Sequence, residues 1–288
     1  MIRAKEGGER MKGFVRKILM FVLAVAFLVS TAFLIRQLLD KRAGEDTYSD
    51  ALMLAFGTDQ ETDALPAREE PVQQELPPEP EVRIWVPEVP RDDPVAEEMA
   101  AMDLDALRAK NPDVVGWIRI PDTKINYPLM QGADNDYYLT HTWEGQNNTV
   151  GSIFLECQNS RDFADYNTIV YGHNMNNGSM FAQLHRYAEK GFPETHPYVY
   201  ILTDAGVLRY EVFSAYRAEV DSIAYGLQFT QEGAKAGLVY HALEQSRIDT
   251  GIRPEANDRI LTLSTCSGAG YSNRWVVHAR LKMVEITG

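Results

Sequence analysis

The chain has 288 residues, of which 45% are hydrophobic and 24% are charged, and its formal net charge at pH 7 is −13. That length and hydrophobic content are enough for one sizeable folded domain with accessory segments. The acidic balance argues against nucleic acid as a partner, because phosphate backbones are bound by clustered Lys and Arg side chains.

A basic N-terminus precedes an apolar run from Ile18 to Ile35. As a helix rising about 1.5 Å per residue, this run would span about 27 Å, close to the roughly 30 Å of a bilayer core. We predict a cytoplasmic basic tail over residues 1–17 and a transmembrane signal-anchor over residues 18–35. The alternative is a cleaved signal peptide with Ser30-Thr31-Ala32 as the cleavage site, but the apolar run is longer than a usual signal core.

Residues 36–98 are predicted to form an extracytoplasmic linker rich in Pro and Glu. A short helix is possible over Asp46–Phe56, and eight of the fourteen prolines then lie between Pro66 and Pro94. Interleaved glutamates and prolines disfavour helix and sheet, and an extended chain of this length could reach roughly 90 Å. A tether of no special length is an equally good interpretation. The apolar triplet Ile84-Trp85-Val86 could dock on the domain that follows.

The pattern changes after Val95, and we predict a folded domain over residues 99–288. Its first element is an amphipathic helix over Met99–Lys110, and a second helix is expected over Gln231–Arg247. Seven short strand candidates carry the rest of the domain: Val115–Ile120, Gly151–Leu155, Thr168–Tyr171, Tyr198–Leu202, Val207–Tyr216, Arg259–Cys266 and Arg274–Val284. Short strands with turn-rich separations are typical of a mainly β fold, either a barrel or a sandwich.

One strand candidate ends on Cys266, and the chain has only one other cysteine, Cys157. A thiol at the exposed end of a strand is placed for nucleophilic chemistry, for which it needs a partner that favours the thiolate. Of six histidines, only His173 has a similar context, after the apolar run Thr168–Tyr171 and before a loop. Taken alone, a cysteine is often a small buried residue and a histidine a structural one.

Two blocks, Tyr171-Gly172-His173-Asn174-Met175 and Thr262-Leu263-Ser264-Thr265-Cys266 followed by Arg274, resemble the sortases, specifically class B. The resemblance covers about residues 99–288. Further matching blocks are Val115-Gly116-Trp117-Ile118, Tyr127-Pro128-Leu129, Asp134-Asn135, Tyr138-Leu139, Gly151-Ser152-Ile153-Phe154-Leu155 and Arg274-Trp275-Val276-Val277. The resemblance implies a closed sortase-type β-barrel with an N-terminal helix and a helix in the connection before the cysteine strand.

The resemblance also implies a mechanism. Cys266 would attack a peptide carbonyl, His173 would protonate the leaving amine, and Arg274 would stabilise charge on the carbonyl oxygen or align the peptide. Arg280 lies on the same strand with the same parity, but Arg274 begins the Arg-aromatic-Val-Val block. The resulting thioacyl enzyme would be resolved by a second amine, which makes the reaction a transpeptidation.

Substrate contacts are implied by position in class B enzymes. The expected contact residues are Ser264, Thr265, Tyr171, Asn135 and Leu139. The loop over Ser267–Asn273 departs from many relatives through Gly268 and Gly270. The amino-acid sequence of the sorting motif is therefore not predicted. We expect no disulfide between the two cysteines, a structural role for His278, and neither a metal nor a cofactor.

The predicted function is therefore cell-wall anchoring. The enzyme would cleave a C-terminal sorting motif of secreted proteins and transfer the acyl group to an amine of peptidoglycan in a Gram-positive-type wall. It would sit in the cell membrane as a single-pass protein with a cytoplasmic N-terminus and an extracellular catalytic domain. Two alternatives stay open: a pilin-polymerising sortase that uses a lysine amine, and a catalytically silent, membrane-tethered binding module.

Overall fold

The computed structural model describes the backbone of residues 3–56, 83–87, 92–266 and 272–287. Side chains are described for residue 20 and for residues 23–56, 92–265 and 272–282. Most of the proline-rich stretch and residues 267–271 of the loop after Cys266 therefore lie outside the described residues.

Ten strands and five α-helices make up the described chain. The strands are β1 (Arg83–Pro87), β2 (Val114–Arg119), β3 (Asn126–Met130), β4 (Ile153–Leu155), β5 (Asn167–Tyr171), β6 (Tyr198–Thr203), β7 (Gly206–Glu219), β8 (Ile260–Cys266), β9 (Asn273–Leu281) and β10 (Met283–Thr287). The helices are α1 (Arg3–Phe56), α2 (Pro94–Ala100), α3 (Leu104–Lys110), α4 (Phe192–Thr195) and α5 (Glu232–Gln245). Short 3-10 helices cover Tyr137–Leu139, Ala182–Ala188 and Ile223–Tyr225.

Eight strands form a closed barrel in the order β2-β3-β4-β5-β8-β9-β7-β6. The pairs β3–β4 and β5–β8 are parallel, and the other pairs are antiparallel. Closure leaves the barrel without a free edge strand. The closed barrel and the helix α5 between β7 and β8 confirm the predicted fold class.

The hydrophobic core has two parts. The larger cluster runs through the barrel and includes Trp117, Leu129 and Val277, all fully buried. A second cluster lies where α5 packs on the barrel wall, and Leu238 and Ala242 provide its helical side. Their spacing of four residues puts both on one face of α5. The connection before the cysteine strand is thus fixed to the barrel.

Helix α1 is longer than the sequence indicated. The expected short helix over Asp46–Phe56 is the end of a helix of 54 residues. Tyr48, Ala51 and Ala55 of this end are buried in the main core. The described part of α1 from Leu23 is long and apolar enough to cross a membrane. The helix therefore reaches the domain before the proline-rich stretch begins.

The far end of the predicted linker is also structured. Prolines were expected to keep it free of helix and strand, but β1 pairs antiparallel with β10. Pro94 occupies the start of α2. Backbone N–H groups in the first turn have no acceptor within the helix, so proline costs no hydrogen bond there. Ile84-Trp85-Val86 lies in β1, so the expected docking of this triplet takes the form of strand pairing.

Three other boundaries differ from the sequence prediction. The single helix over Met99–Lys110 is two helices, because Asp103 caps α3 through its side chain, which accepts from the Ala106 N–H at 2.9 Å. The last strand divides into β9 and β10 around Lys282, whose N–H bonds the Arg209 carbonyl at 2.9 Å. Strand β3 was not predicted as a strand, since Pro128 interrupts its pattern.

Candidate active site

The topology brings the three predicted catalytic positions to one edge of the barrel. Strands β5 and β8 are parallel neighbours, so their C-terminal ends lie together, and antiparallel β9 begins at the same edge. The register pairs Tyr171 with Ser264 and Cys266 with Arg274. His173 follows β5 by two residues, which places it beside the end of β8.

A cleft of about 260 Å³ opens at this edge. It contains His173 and Arg274 together with all five residues expected to contact substrate. Its lining is Asn135, Leu139, Phe154, Tyr171, Gly172, His173, Val220, Tyr225, Ser264, Thr265 and Arg274. Cys266 follows Thr265 directly in β8.

His173 is held by the segment that carries Leu139. Its Nε2 lies 2.7 Å from the Leu139 carbonyl oxygen. Because a carbonyl only accepts, Nε2 carries the hydrogen in this arrangement. On the other side, the Phe181 N–H donates to the His173 carbonyl at 2.9 Å. Ring and backbone are thus fixed from two directions.

Gly151 makes room for this histidine. Its φ is +61°, and a Cβ there would lie 2.7 Å from the carbonyl oxygens of Leu139 and Tyr138 and 3.0 Å from Cδ2 of His173. Only glycine combines this backbone conformation with so little space. The residue begins the matching block Gly151–Leu155, and the need for glycine there becomes clear only from these contacts.

Glu156 organises one wall of the cleft and was not predicted. Its Oε2 accepts from Asn135 Nδ2 at 2.7 Å and from the Tyr171 hydroxyl at 2.9 Å. The Asn135 amide oxygen in turn accepts the Cys157 N–H at 2.8 Å. Two of the expected substrate contacts are therefore oriented by one buried carboxylate.

The charge state of this wall follows from the same bonds. Burial acts to raise the pKa of Glu156, but hydrogen bonds from Asn135, Tyr171 and the neighbouring backbone outweigh it and lower the pKa. Burial, reinforced by the Glu156 charge, raises the pKa of Tyr171. Glu156 is thus an acceptor and Tyr171 a donor at neutral pH.

Tyr225 forms the facing wall. Its hydroxyl lies 2.8 Å from Ser264 Oγ, and its ring is parallel to that of Tyr171 with the centroids 6.5 Å apart. The short helix that carries it is anchored by Asn167, whose Nδ2 donates to the carbonyls of Ala224 at 3.1 Å and Gly226 at 2.9 Å. Sequence reasoning missed Tyr225 because it lies between strand and helix patterns.

The two candidate arginines of β9 have different surroundings. Arg274 lines the cleft. Arg280 is paired with Glu211, with Nε and Nη2 at 3.1 and 3.0 Å from Oε2, and its Nη1 is 3.5 Å from Asp258. Six residues of strand separate the two, about 20 Å. Arg280 therefore belongs to a charge cluster outside the cleft lining.

Thr265 and His278 are both buried strand residues. Among the described residues, Thr265 Oγ1 has no hydrogen-bond partner. His278 bonds Thr262 Oγ1 through Nδ1 at 3.0 Å and the Tyr216 hydroxyl through Nε2 at 3.1 Å. Burial, with a smaller contribution from His241, lowers the pKa of His278 to about 3. His278 is a neutral core residue.

Cys157 is a free, half-buried cysteine. Its thiol lies 3.4 Å from Glu156 Oε1, and burial together with this carboxylate raises its pKa. A thiol in such surroundings is a poor nucleophile. Over the described part of the chain, no group of three or more His, Cys, Asp or Glu residues could hold a metal ion.

Comparison with known proteins identifies the barrel. A family model described as a sortase domain matches residues 118–282. Sortase B of Listeria monocytogenes is 40% identical over 167 residues, 57% of this chain and 67% of the relative. Sortase B of Staphylococcus aureus is 32% identical over 192 residues, 66% of this chain and 78% of the relative.

Solved structures agree with these relatives. A Staphylococcus aureus sortase B-substrate complex has a TM-score of 0.59 at 31% identity, covering 62% of this chain and 84% of that one. The closed barrel thus has the same fold as sortase B enzymes. The chain belongs to the sortase family, in class B, and is a cysteine transpeptidase of the cell-wall-anchoring type.

Proposed function

We propose that this transpeptidase cleaves a C-terminal sorting motif of secreted proteins through a thioacyl intermediate on Cys266 and transfers the acyl group to an amine of peptidoglycan. One observation carries the proposal: His173, Arg274 and five expected contact residues line one cleft at the edge where β8 ends on Cys266. That the Staphylococcus aureus relative was solved as a substrate complex supports a peptide substrate.

The proposed chemistry has two half-reactions. In the first, the Cys266 thiolate attacks the scissile carbonyl, the C–N bond breaks as the C–S bond forms, and His173 gives its proton to the leaving amine. In the second, an acceptor amine attacks the thioester, His173 takes a proton from that amine, and the thiolate leaves. Arg274 stabilises the charge on the carbonyl oxygen in both steps, since guanidinium stays charged throughout.

The cleft walls are proposed to hold the sorting peptide. Asn135 and Tyr171 are oriented by Glu156, and Leu139 lies on the segment that accepts the His173 hydrogen bond. Ser264 and Thr265 border the nucleophile on β8. Leu139 offers an apolar contact to an extended peptide in the cleft, and the other four residues offer hydrogen-bonding groups.

We further propose the membrane topology. Residues 1–17 stay in the cytoplasm, residues 18–35 cross the membrane, residues 36–98 follow outside, and residues 99–288 form the extracellular catalytic domain. Support comes from the basic N-terminal flank and from a helix long and apolar enough to span a bilayer.

The deciding experiment uses the full chain in detergent with a library of sorting-type pentapeptides. Each peptide is supplied with no acceptor, with a peptidoglycan-type amine or with a pilin-type lysine peptide. We expect a thioester adduct on the wild-type chain and transfer to the peptidoglycan-type amine. Cys266→Ala should abolish adduct and product, whereas Cys157→Ala, a matched loss of the other thiol, should leave both.

The products separate the alternatives. Preferred transfer to the lysine peptide would identify a pilin polymerase, and hydrolysis that acceptors do not suppress would identify a thiol protease. Binding without any adduct would identify a silent module. Full cleavage by Cys266→Ala would reject the proposed nucleophile.

A further inference from the structure

The end of helix α1 is packed against the domain that carries His173. Trp143 Nε1 donates to the Thr47 carbonyl at 2.8 Å, and the Asp103 N–H donates to the Ala55 carbonyl at 2.7 Å. Asn148 Nδ2 donates to the Asp40 carbonyl at 2.7 Å. The helix is therefore docked along several turns.

Tyr48 of this helix contacts the segment that leads into β4. It is 5% exposed. Its hydroxyl donates to the Gly151 carbonyl and lies 3.2 Å from Ser152 Oγ. A buried phenol needs such a partner, and a buried carbonyl needs such a donor. The contact thus fixes the Gly151–Ser152 peptide.

The same peptide borders the candidate catalytic histidine. A Cβ on Gly151 would meet both the Leu139 carbonyl oxygen and Cδ2 of His173. That carbonyl accepts the hydrogen bond from His173 Nε2. In addition, the Ser152 N–H donates to the Tyr138 carbonyl at 2.8 Å. A shift of this peptide would displace the acceptor that orients the imidazole ring.

A second set of contacts runs from Tyr48 to the far side of His173. The Tyr48 ring packs edge-on against Tyr127, with 5.2 Å between centroids. The Tyr127 hydroxyl accepts the Met180 N–H at 3.0 Å. The next residue, Phe181, donates its N–H to the His173 carbonyl. Tyr48 is therefore connected to the Phe181 support of His173 through Tyr127 and Met180.

We propose that Tyr48 is a positioning residue for His173, so that the helix continuing from the membrane anchor completes the active site of the barrel. The inference rests on the proposed catalytic role of His173. Tyr48 does not line the cleft. Its influence is on the orientation of the imidazole and not on peptide binding.

The test compares Tyr48→Phe with Tyr240→Phe in the full-length enzyme. Tyr240 lies on α5, is 67% exposed, and its hydroxyl lies 3.4 Å from Glu244 Oε1, so its substitution is a matched loss of one phenol hydroxyl. We expect Tyr48→Phe to lower kcat about five- to tenfold, the size of one buried hydrogen bond. KM for the sorting peptide should be unchanged, and Tyr240→Phe should match the wild type in both constants.

Rates are divided by the concentration of folded enzyme, and thermal unfolding is recorded for each variant. An unchanged kcat in Tyr48→Phe would overturn the proposal, as would a loss confined to KM. The proposed function is checked separately by the Cys266-dependent adduct of the wild type. If that adduct is absent, the proposed function fails; if it forms and Tyr48→Phe has the wild-type kcat, only the positioning role fails.

Discussion

Arg274 and Arg280 lie on the same strand but have different surroundings. Both lie on β9, but Arg274 lines the cleft and Arg280 is paired with Glu211 and Asp258. Both arginines were candidates from the sequence, and only the Arg-aromatic-Val-Val block favoured Arg274. The structure adds a physical reason, since the charge of Arg280 is already engaged by two carboxylates.

We predict that Arg274→Ala lowers kcat/KM about a hundredfold or more, comparable to the loss of one oxyanion donor. Arg280→Ala should leave kcat/KM of the folded enzyme unchanged and lower its melting temperature, because Glu211 loses its closest cation. Steady-state transpeptidation and thermal unfolding of both variants decide this. Equal losses of activity in the two would contradict the assignment.

Cys266 and His173 could be predicted from sequence because each has a local signature, a strand followed by a loop. Glu156 and Tyr225 had none. Glu156 acts through Asn135 and Tyr171, which lie at other places in the chain, and Tyr225 depends on Asn167 for its position. Such residues are brought together only by the barrel, so spacing in the sequence does not indicate them.

At the scale of elements, α2 and α3 differ in what their capping residues do. Asp93 caps α2 by accepting from Val95 and Ala96 N–H at 3.1 and 3.2 Å. It is also buried, 3.5 Å from Arg209 Nη1. Asp103 caps α3 from an exposed position. The first cap is thus a charge partner in the core and the second is a local helix signal.

We expect Asp93→Ala to reduce the free energy of unfolding by about 3 kcal/mol or more, because a cap is lost and Arg209 is left as a buried unpaired charge. The matched cap variant Asp103→Ala should cost only about 1 kcal/mol. Urea denaturation of the two variants measures the difference. Similar midpoints for both would show that the Arg209 pair contributes little.

The elements also mark where sequence patterns stop being sufficient. All seven strand candidates correspond to strands, because short runs between turn-rich segments mark them, and most of the barrel strands are buried at nearly every position. Periodicity joined α2 to α3, since the break depends on Asp103 and on its contact with Ala55 of a distant helix. It also missed β3, where Pro128 is tolerated just before the two residues that pair with β4.

At the scale of the whole molecule, the proline-rich stretch would not determine how far the domain stands from the membrane under the proposed topology. Helix α1 is docked on the barrel through Tyr48 and Ala55 before that stretch starts, and the chain is back on the barrel at Asp93. Both ends are attached to the same body. The 90 Å reach expected from sequence is therefore not available as a tether.

We predict that deleting residues 60–80 leaves both peptide transpeptidation in detergent and wall anchoring in cells at wild-type levels. The contrasting variant is a helical insertion of seven residues after Arg36. It lengthens α1 by about 10 Å, and because seven residues are close to two full turns, the domain keeps nearly the same orientation about the helix axis. The insertion should reduce anchoring in cells while leaving transpeptidation of soluble peptides intact. Anchoring that falls with the deletion would restore the tether model.

The docking of α1 also governs how the enzyme meets its substrates. With residues 18–35 in the bilayer, Tyr48 lies about 20 Å along the helix beyond Ile35, at 1.5 Å per residue. Under the proposed topology, the barrel docked on this helix would be held at a constant height above the outer membrane surface. A substrate that is itself attached to the membrane would then be met by diffusion in two dimensions. Turnover in the cell would then depend on the surface density of such substrates in the membrane plane.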